Sequence, residues 1–418
     1  MAGSTRKGSH LKHASVTEKR KLREAVPYWQ KNPNISVRSK RHPAHRHYDV
    51  VVVGGGISGA LVAQALIDGK RLIAIIDRQK PVLGSTMAST AMLQHEIDVP
   101  LYKLKKMIKA EEAERVWLRS AAGVNGLIEL VRKLDISCSM QPKKALYLAG
   151  DDYGSRALVS EVEARKAIGL DATLLDRAAL MREFNVDRQA AIRSNISASA
   201  NPAQLAAGIL RICKKQGVEI ISDTEITDFV EVNGRVALAT SIGNVLSASH
   251  VVFCTGYEFL KSLASKEHKI ISTWAIASRQ AARAPEWLRD YLVWEASDPY
   301  LYFRSGPDGR IIAGGEDEKS DDAFEDEKKR SQKSSTIAKK VGELLGFDVG
   351  KLDYSWSAAF GSTKLGTPMI GAVPGHANVY AAMGYGGNGI TFSKIASEII
   401  ASMLSGKDDP DADVFAFR

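Results

Sequence analysis

Residues 48–78, YDVVVVGGGISGALVAQALIDGKRLIAIIDR, constrain the fold more than any other stretch. The unbroken apolar run Val50 to Val53 has the length and β-branching of a strand buried on both faces. It runs into glycines at 54, 56 and 59, spaced as G-x-G-x-x-G. An Ala/Leu-rich helix follows to about Asp68, with Gly69 placed to end it, and a second apolar strand, Leu72 to Ile76, closes on Asp77. Gly54 permits the tight turn, Gly56 lets the backbone approach a pyrophosphate, and Gly59 lets helix and strand pack closely. The free N–H groups and positive dipole at the helix start attract phosphates, and Asp77 is placed to accept from an adenosine ribose hydroxyl. The stretch predicts a Rossmann-like βαβ unit with a dinucleotide site, and leaves FAD and NAD both open.

At 418 residues the chain has room for a large core and two domains. The formal net charge of +9 suggests an acidic partner until its location is read. Residues 1–47 hold twelve Lys/Arg against two Asp/Glu and five of the nine histidines, so the body beyond them is close to neutral. With no apolar core segment and no twin-arginine pair, this tail does not read as an export signal. It reads as a partly ordered solvated extension, with a short helix over 15–25 and Pro27-Tyr28-Trp29 suited to pin it to the body. Its Arg/Lys/Ser content leaves an organellar presequence open, against which Glu18 and Glu24 count, and its charge leaves nucleic-acid or membrane-surface binding open. Nothing approaches the roughly eighteen consecutive apolar residues of a membrane-spanning helix. Cys138, Cys213 and Cys254 are widely spaced, which argues against a disulfide framework or a zinc site and fits the reducing cytoplasm.

Further along, a hydroxyl-rich stretch, GSTMASTAML at 84–93, suits a loop or helix start lying against a flat ligand. The pattern predicts helices over 102–134, 155–169 and 176–184, and strands over 143–149 and near 190–193. Asn201-Pro202 opens an amphipathic helix to Lys215, followed by a strand at 217–221, a meander over 225–231, 235–240 and 244–247, and a buried strand from His250 ending at Thr255-Gly256. Strands at 271–281 and 300–313 and a charged helix over 321–345 come next. A strand near 354–360, assigned to the nucleotide core, precedes one at 379–383, and a last helix begins near Ile390. Before that helix stands Gly384-Tyr385-Gly386-Gly387-Asn388-Gly389, with more glycine than a simple turn requires. A helix start so placed can face a group that becomes negative during a reaction.

These stretches, in this order, resemble the D-amino-acid oxidase family of FAD-dependent oxidoreductases, which includes glycine, sarcosine and gamma-glutamylputrescine oxidases. The resemblance runs from VVVVGGGISG and IIDR through GSTMASTAML, GVEIISDTEIT, VVFCTG, YLYFRSGPDGRIIAGGED and AAFGSTKLGTPMIG to MGYGGNGIT. It implies an α/β fold with a Rossmann-like FAD-binding domain and an interleaved α+β substrate domain. On that division 1–47 is the basic extension, 48–95, 195–268 and 351–418 bind FAD, and 96–194 with 269–350 form the substrate domain. By position, Gly54, Gly56, Ile57, Ser58 and Gly59 would hold the pyrophosphate, and Asp77 and Arg78 the ribose end. Ser85, Thr86, Ser89 and Thr90 would lie along pyrophosphate and flavin, Ile226 beside the adenine, and Thr255 and Gly256 by the nucleotide. Gly361, Gly386, Gly387, Asn388, Gly389 and Ile390 would frame the flavin. Relatives that attach FAD covalently use a Cys or His where this chain has Ala358-Ala359-Phe360 or Met87-Ala88, so non-covalent FAD is expected. Leu365-Gly366-Thr367-Pro368 also departs from the family's usual D-G-x-P.

The resemblance further implies oxidation of a C–N bond of an amino acid or secondary amine: a hydride passes to flavin N5 and the imine product hydrolyses. Oxygen or another acceptor would take the electrons. No strong protein acid or base is needed, which fits the lack of a Ser/His/Asp or metal constellation. A substrate carboxylate would call for a bidentate arginine, and Arg304 is the candidate. Tyr302 and Tyr385 are candidates to close the pocket and His95 to line it, while Trp274 and Trp356 read as core. Rival readings are action on an amino-acid-like group of modified tRNA, which the neutral body makes a poor fit, and a dehydrogenase passing electrons to quinone or an electron-transfer flavoprotein. An NAD enzyme without flavin would leave the C-terminal glycine loop unexplained.

Overall fold

The computed structural model describes residues 15–263, 268–279 and 284–417. Strand His47–Val53 lies in parallel between Ile73–Ile76 and Val245–Phe253, and Glu219–Ile221 and Val379–Met383 extend the parallel sheet on either side. Successive side chains of a strand point to opposite faces, so the valine run serves two cores. Val50 and Val52 pack with helices Ile57–Leu66, Pro202–Lys215 and Gly389–Leu404. Val51 and Val53 pack on the other face with Ile226, Val236 and Leu238 of the antiparallel strands Ile226–Val232 and Arg235–Thr240. The strands therefore read as continuous apolar runs, as a sheet covered on both sides requires.

A second, ten-stranded sheet is mostly antiparallel and is assembled from distant parts of the chain. Its middle runs Leu352–Thr363, His268–Ser278, Ile311–Glu318, Leu301–Ser305, Tyr291–Glu295, Gln141–Leu148, Ala190–Ser199. Helix Glu327–Leu345 buries Ile337, Val341 and Leu344 against Trp274, Ile276 and Phe303 on one face. From the other face Ala275, Ala277, Ile312 and Trp356 enter the same core as the nucleotide-side helices. The carboxyl ends of the parallel strands open toward this second sheet, the place where open α/β sheets bind ligands.

Several local expectations change once the chain is folded. Residues 15–25 are extended rather than helical: Thr17 bridges Leu260, and Arg23–Glu24 pairs with Ser357 and Ala358. A helix that short is marginal in water, so cross-chain pairing wins. Tyr28 and Trp29 do anchor the segment, in a short buried 3-10 turn. The helix expected over 102–134 is two, Leu101–Met107 and Ala110–Lys133, broken by extended backbone at Ile108 and Lys109, with Glu111 and Glu112 in the new first turn. The strand at 244–247 and the buried strand after it are one continuous Val245–Phe253. Tyr291–Glu295 is a strand that the pattern does not flag, and Leu352–Thr363 pairs into the large sheet rather than the nucleotide core. All three cysteines are buried and free.

Candidate active site

One cavity of about 510 Å³ runs from the glycine turn after His47–Val53 to the underside of the large sheet. At its first end the backbone is built for close approach. Gly54 has φ +113°, and a Cβ there would stand 2.3 Å from the Cys254 carbonyl oxygen; a Cβ on Gly59 would stand 1.9 Å from the Gly54 carbonyl oxygen. Helix Ile57–Leu66 starts from Gly56, which has no side chain to cap it, and Thr86 Oγ1 accepts from Ile57 N at 3.0 Å. The positive end of the helix thus faces the cavity, where an anion is favoured. Asp77 Oδ2 accepts from Gly55 N at 2.6 Å and Oδ1 from Gln79 N at 2.7 Å. Burial pushes its carboxyl above the usual range while those two backbone donors pull it back. Ser85 Oγ, on the cavity wall, is buried with no partner in the protein. A pyrophosphate would satisfy that hydroxyl, since buried polar atoms are rarely left unpaired.

The second glycine loop closes the other side. Gly386 and Gly387 pass so near the Asp98 carboxylate that a Cβ on either would stand 2.8 Å from one of its oxygens. Gly387 N donates to Asp98 Oδ2 at 3.1 Å, and Thr391 Oγ1 donates to the Gln94 carbonyl at 3.1 Å. Asn388 Nδ2 donates to the Glu96 carbonyl. Residues 94–98 and the start of the last helix are therefore held as one wall.

Of the residues nominated from sequence, Gly59, Gly361, Gly386, His95 and Arg304 do not line the cavity, and the others do. Gly59 and Gly386 act one layer behind, through the close approaches above, and Gly361 leaves room for the Tyr257 ring, 2.8 Å from where a Cβ would be. Arg304 departs furthest from expectation. It is 1% exposed and donates to the carbonyls of Thr90 (2.8 Å), Ala200 (3.0 Å) and Ser305 (3.1 Å), with its guanidinium 5.5 Å from the Trp29 ring centre. Burial lowers its pKa to about 10. A guanidinium so engaged has no free fork for a substrate carboxylate. His95 is also wholly buried: Nδ1 donates to the Ile196 carbonyl at 2.8 Å, and burial keeps the ring neutral. Its neighbour Glu96 lines the cavity instead, held by Ser194 Oγ at 2.7 Å and Arg165 at 3.2 Å. Tyr385 faces the cavity, but its hydroxyl donates to the Ala382 carbonyl at 2.9 Å. Tyr302 faces it above Gly314, whose missing side chain makes space for the phenol.

Sequence reasoning missed Asp98, Tyr257, Tyr300 and Asp317, which line the far end. It also missed that the amino-terminal segment forms wall: Val16, Thr17 and Leu22 line the same cavity. Ser15 and Lys19 tie that segment to Glu225 at 2.8 and 2.7 Å, while Arg78 and the backbone N–H of Arg20 both donate to Glu258 Oε1. The Arg23 guanidinium donates to the Leu83 carbonyl at 3.2 Å, so this part of the segment is docked rather than solvated.

A parallel sheet with a glycine cradle at its carboxyl ends, facing a large antiparallel sheet across one elongated cavity, is the architecture of a flavin-dependent oxidoreductase. The chain belongs to the FAD-dependent oxidoreductase family DAO, which matches residues 49–403, and FAD is its cofactor. It is 22% identical over 381 residues to the probable oxidoreductase OrdL of Haemophilus influenzae, covering 87% of this chain and 84% of that one. It is 24% identical over 377 residues to the gamma-glutamylputrescine oxidoreductase of Escherichia coli, covering 88% and 86%. Its fold is that of the glycine oxidase from Geobacillus kaustophilus, with a TM-score of 0.75 at 20% identity over 90% of this chain and 99% of that one. Among the described residues no helix is long and apolar enough to cross a membrane.

The amino-terminal wall gives a direct prediction. Removing residues 1–22 is expected to weaken FAD binding about tenfold, roughly 1.4 kcal/mol, through lost apolar wall from Val16 and Leu22. Fluorescence of FAD released on dilution measures this, and an unchanged dissociation constant would show that the segment does not touch the cofactor.

Proposed function

We propose that the protein oxidises the C–N bond of a small amine or amino acid. The observation that carries this reading is that two glycine loops more than 300 residues apart in sequence open on one cavity, whose far end is walled by Tyr257, Tyr300 and Tyr302. We assign Gly54, Gly56, Ser58, Asp77, Ser85 and Thr86 to the pyrophosphate and ribose, and Gly387 to Ile390 to the flavin. On this assignment the parallel sheet and its helices form the FAD domain, and the large sheet carries the substrate side. When bound, FAD would supply a two-electron acceptor for the hydride that leaves the carbon bearing nitrogen; the resulting imine adds water and breaks its C–N bond, yielding a carbonyl compound and releasing the nitrogen as ammonia or an amine. The protein's part is to position the amine and to keep bulk water from the reacting carbon. The names of the relatives support this substrate range, since one acts on gamma-glutamylputrescine and another on glycine.

We infer that FAD is held without a covalent bond. Among the described lining residues the one cysteine is Cys254, at the nucleotide end, and burial pushes its thiol up to about 12, far from the thiolate that attachment needs. Acid precipitation is expected to release all of the flavin into the supernatant. The reaction is tested by anaerobic titration of the yellow protein with N-methyl, D-, L- and cyclic amino acids and with alkylamines. Bleaching of the oxidised flavin band by a member of this panel is the expected result; no bleaching by any of them would overturn the C–N reading.

A further inference from the structure

The far end of the cavity is acidic and aromatic. Asp98 comes from the loop before Leu101–Met107 and Asp317 from strand Ile311–Glu318; both line this end of the cavity, and Asp98 is close enough to raise the cost of ionising Asp317. Asp98 accepts one backbone hydrogen bond, from Gly387, and is open to the cavity. Both carboxylate oxygens of Asp317 are buried without a hydrogen-bond partner of good geometry, although the Thr273 and Tyr300 hydroxyls stand nearby. The aromatic rings of Tyr257, Tyr300 and Tyr302 complete this end, the last two with centroids 5.5 Å apart and tilted by 31°.

The cations that could balance these acids are engaged elsewhere. Among the described residues lining the cavity, Arg78 is bonded to Glu258 at the nucleotide end. Lys319, 87% exposed, reaches Asp298 at 3.5 Å. Lys333, which acts on Asp317 only through space, is drawn to Glu316 and Glu318. Two carboxylates facing one enclosed space without a counter-ion are unfavourable, and the same low dielectric makes them a strong site for a cation. Tyrosine faces add attraction for an alkylammonium and none for a carboxylate.

Resting on the amine-oxidising reading above, we propose that this end of the cavity is an ammonium-binding subsite, with Asp317 and Asp98 as its anions and Tyr257, Tyr300 and Tyr302 as its aromatic wall. The preferred substrate is then an alkylamine without an α-carboxylate. The ammonium held is either the nitrogen that reacts, which passes its proton to a carboxylate before oxidation, or the second ammonium of a diamine.

Burial, with Asp98 adding to it, pushes the Asp317 carboxyl up to about 7, while Thr273, Tyr300 and Lys333 pull the other way. The groups facing it are therefore Asp98, Lys333, Thr273 and the phenols of Tyr257, Tyr300 and Tyr302. Burial holds those phenols neutral at these pH values. Since the cation binds the ionised carboxylate, affinity rises toward pH 7 and levels off above it, with a fall of about tenfold per unit below.

The test compares tert-butylammonium with pivalate on the FAD-loaded protein. These probes share a tert-butyl body and carry opposite charge, and neither has a hydrogen on the carbon next to its charged group that could leave as hydride. Calorimetry and the shift of the flavin absorbance are expected to show tert-butylammonium binding at least about 30-fold more tightly, the worth of one charge-assisted contact. Asp317→Asn is expected to remove that preference while FAD content and melting temperature hold. Equal binding of pivalate, or undiminished binding of tert-butylammonium to a folded, yellow Asp317→Asn protein, would overturn the proposal. If Asp317→Asn does not fold, the wild-type pH profile decides, because affinity flat from pH 5 to 8 would equally overturn it. Bleaching by butylamine identifies the reacting nitrogen as the one held, and bleaching by 1,4-diaminobutane alone identifies the second ammonium. Bleaching by α-amino acids with no binding of tert-butylammonium would sink the subsite and leave the oxidoreductase reading standing. A protein that binds tert-butylammonium but is bleached by no amine or amino acid would do the reverse.

Discussion

Gly59→Ala is expected to yield a protein that cannot hold FAD, with affinity down at least about 100-fold. The added methyl would lie 1.9 Å from the Gly54 carbonyl oxygen, a backbone atom with no rotamer to move away. Helix Ile57–Leu66 cannot back off to relieve the clash. Ala60, Leu61, Val62, Ala63 and Leu66 are fully buried against the sheet and against helices Gly389–Leu404 and Pro202–Lys215. Overpacking a well-filled core costs about 1–3 kcal/mol, and more where backbone must shift. The least costly relief is to unwind the first helical turn, which is the phosphate cradle itself. Gly69→Ala is the control. Gly69 has φ +76°, but nothing lies within 4 Å of the would-be Cβ, so the cost is about 1 kcal/mol of backbone strain with FAD retained. Flavin-to-protein absorbance ratios and fluorescence titration of apoprotein measure both variants. A fully yellow Gly59→Ala protein would mean that helix and strand are less tightly apposed than the structure places them.

The contrast between those two glycines shows why the nucleotide site was legible in the sequence. Strand, glycine turn, helix and closing Asp77 occupy about thirty consecutive residues, so much of the cradle is local and leaves a fixed spacing, although Cys254 closes on Gly54 from 200 residues away. The second glycine loop was legible from its glycine density alone; the Asp98 carboxylate it packs against comes from nearly 300 residues earlier. What sequence could not show was produced by pairing across the chain. Residues 15–25 carry helix-compatible composition, yet Arg23–Glu24 finds a strand edge at Ser357 and Ala358, more than 300 residues away. Tyr291–Glu295 is a five-residue run whose only distinction is that Gln141–Leu148 and Leu301–Ser305 flank it. Asp98 and Asp317 look like ordinary loop and hairpin acids until the fold sets both beside the tyrosines.

Arg304→Met is expected to destabilise the fold by about 2–4 kcal/mol and to leave ligand binding by the folded, FAD-loaded protein within about twofold of wild type. Two effects oppose each other. Removing a buried guanidinium that has no carboxylate partner relieves a desolvation penalty, which its depressed pKa, about 10, reflects. Against that, the carbonyls of Thr90 and Ala200 lose their donors, at about 1–3 kcal/mol for each buried group left unpaired, and Trp29 loses the cation over its ring. Ser305 lies within a paired strand, so its carbonyl has other recourse. The two carbonyls win because methionine fills much of the volume and donates nothing. Arg304→Lys separates charge from geometry. One ammonium cannot serve Thr90, Ala200 and Ser305, which lie on three different segments, so it recovers only part of the loss. Urea unfolding with flavin fluorescence as the probe reads the stability term, and titration with tert-butylammonium and pivalate reads the ligand term. An arginine that clamps a substrate carboxylate would behave in the opposite way, losing affinity for carboxylates with little change in stability. That pattern in Arg304→Met would put the guanidinium back in the active site and remove the reason for seeking the substrate's anchor in acids rather than in a cation.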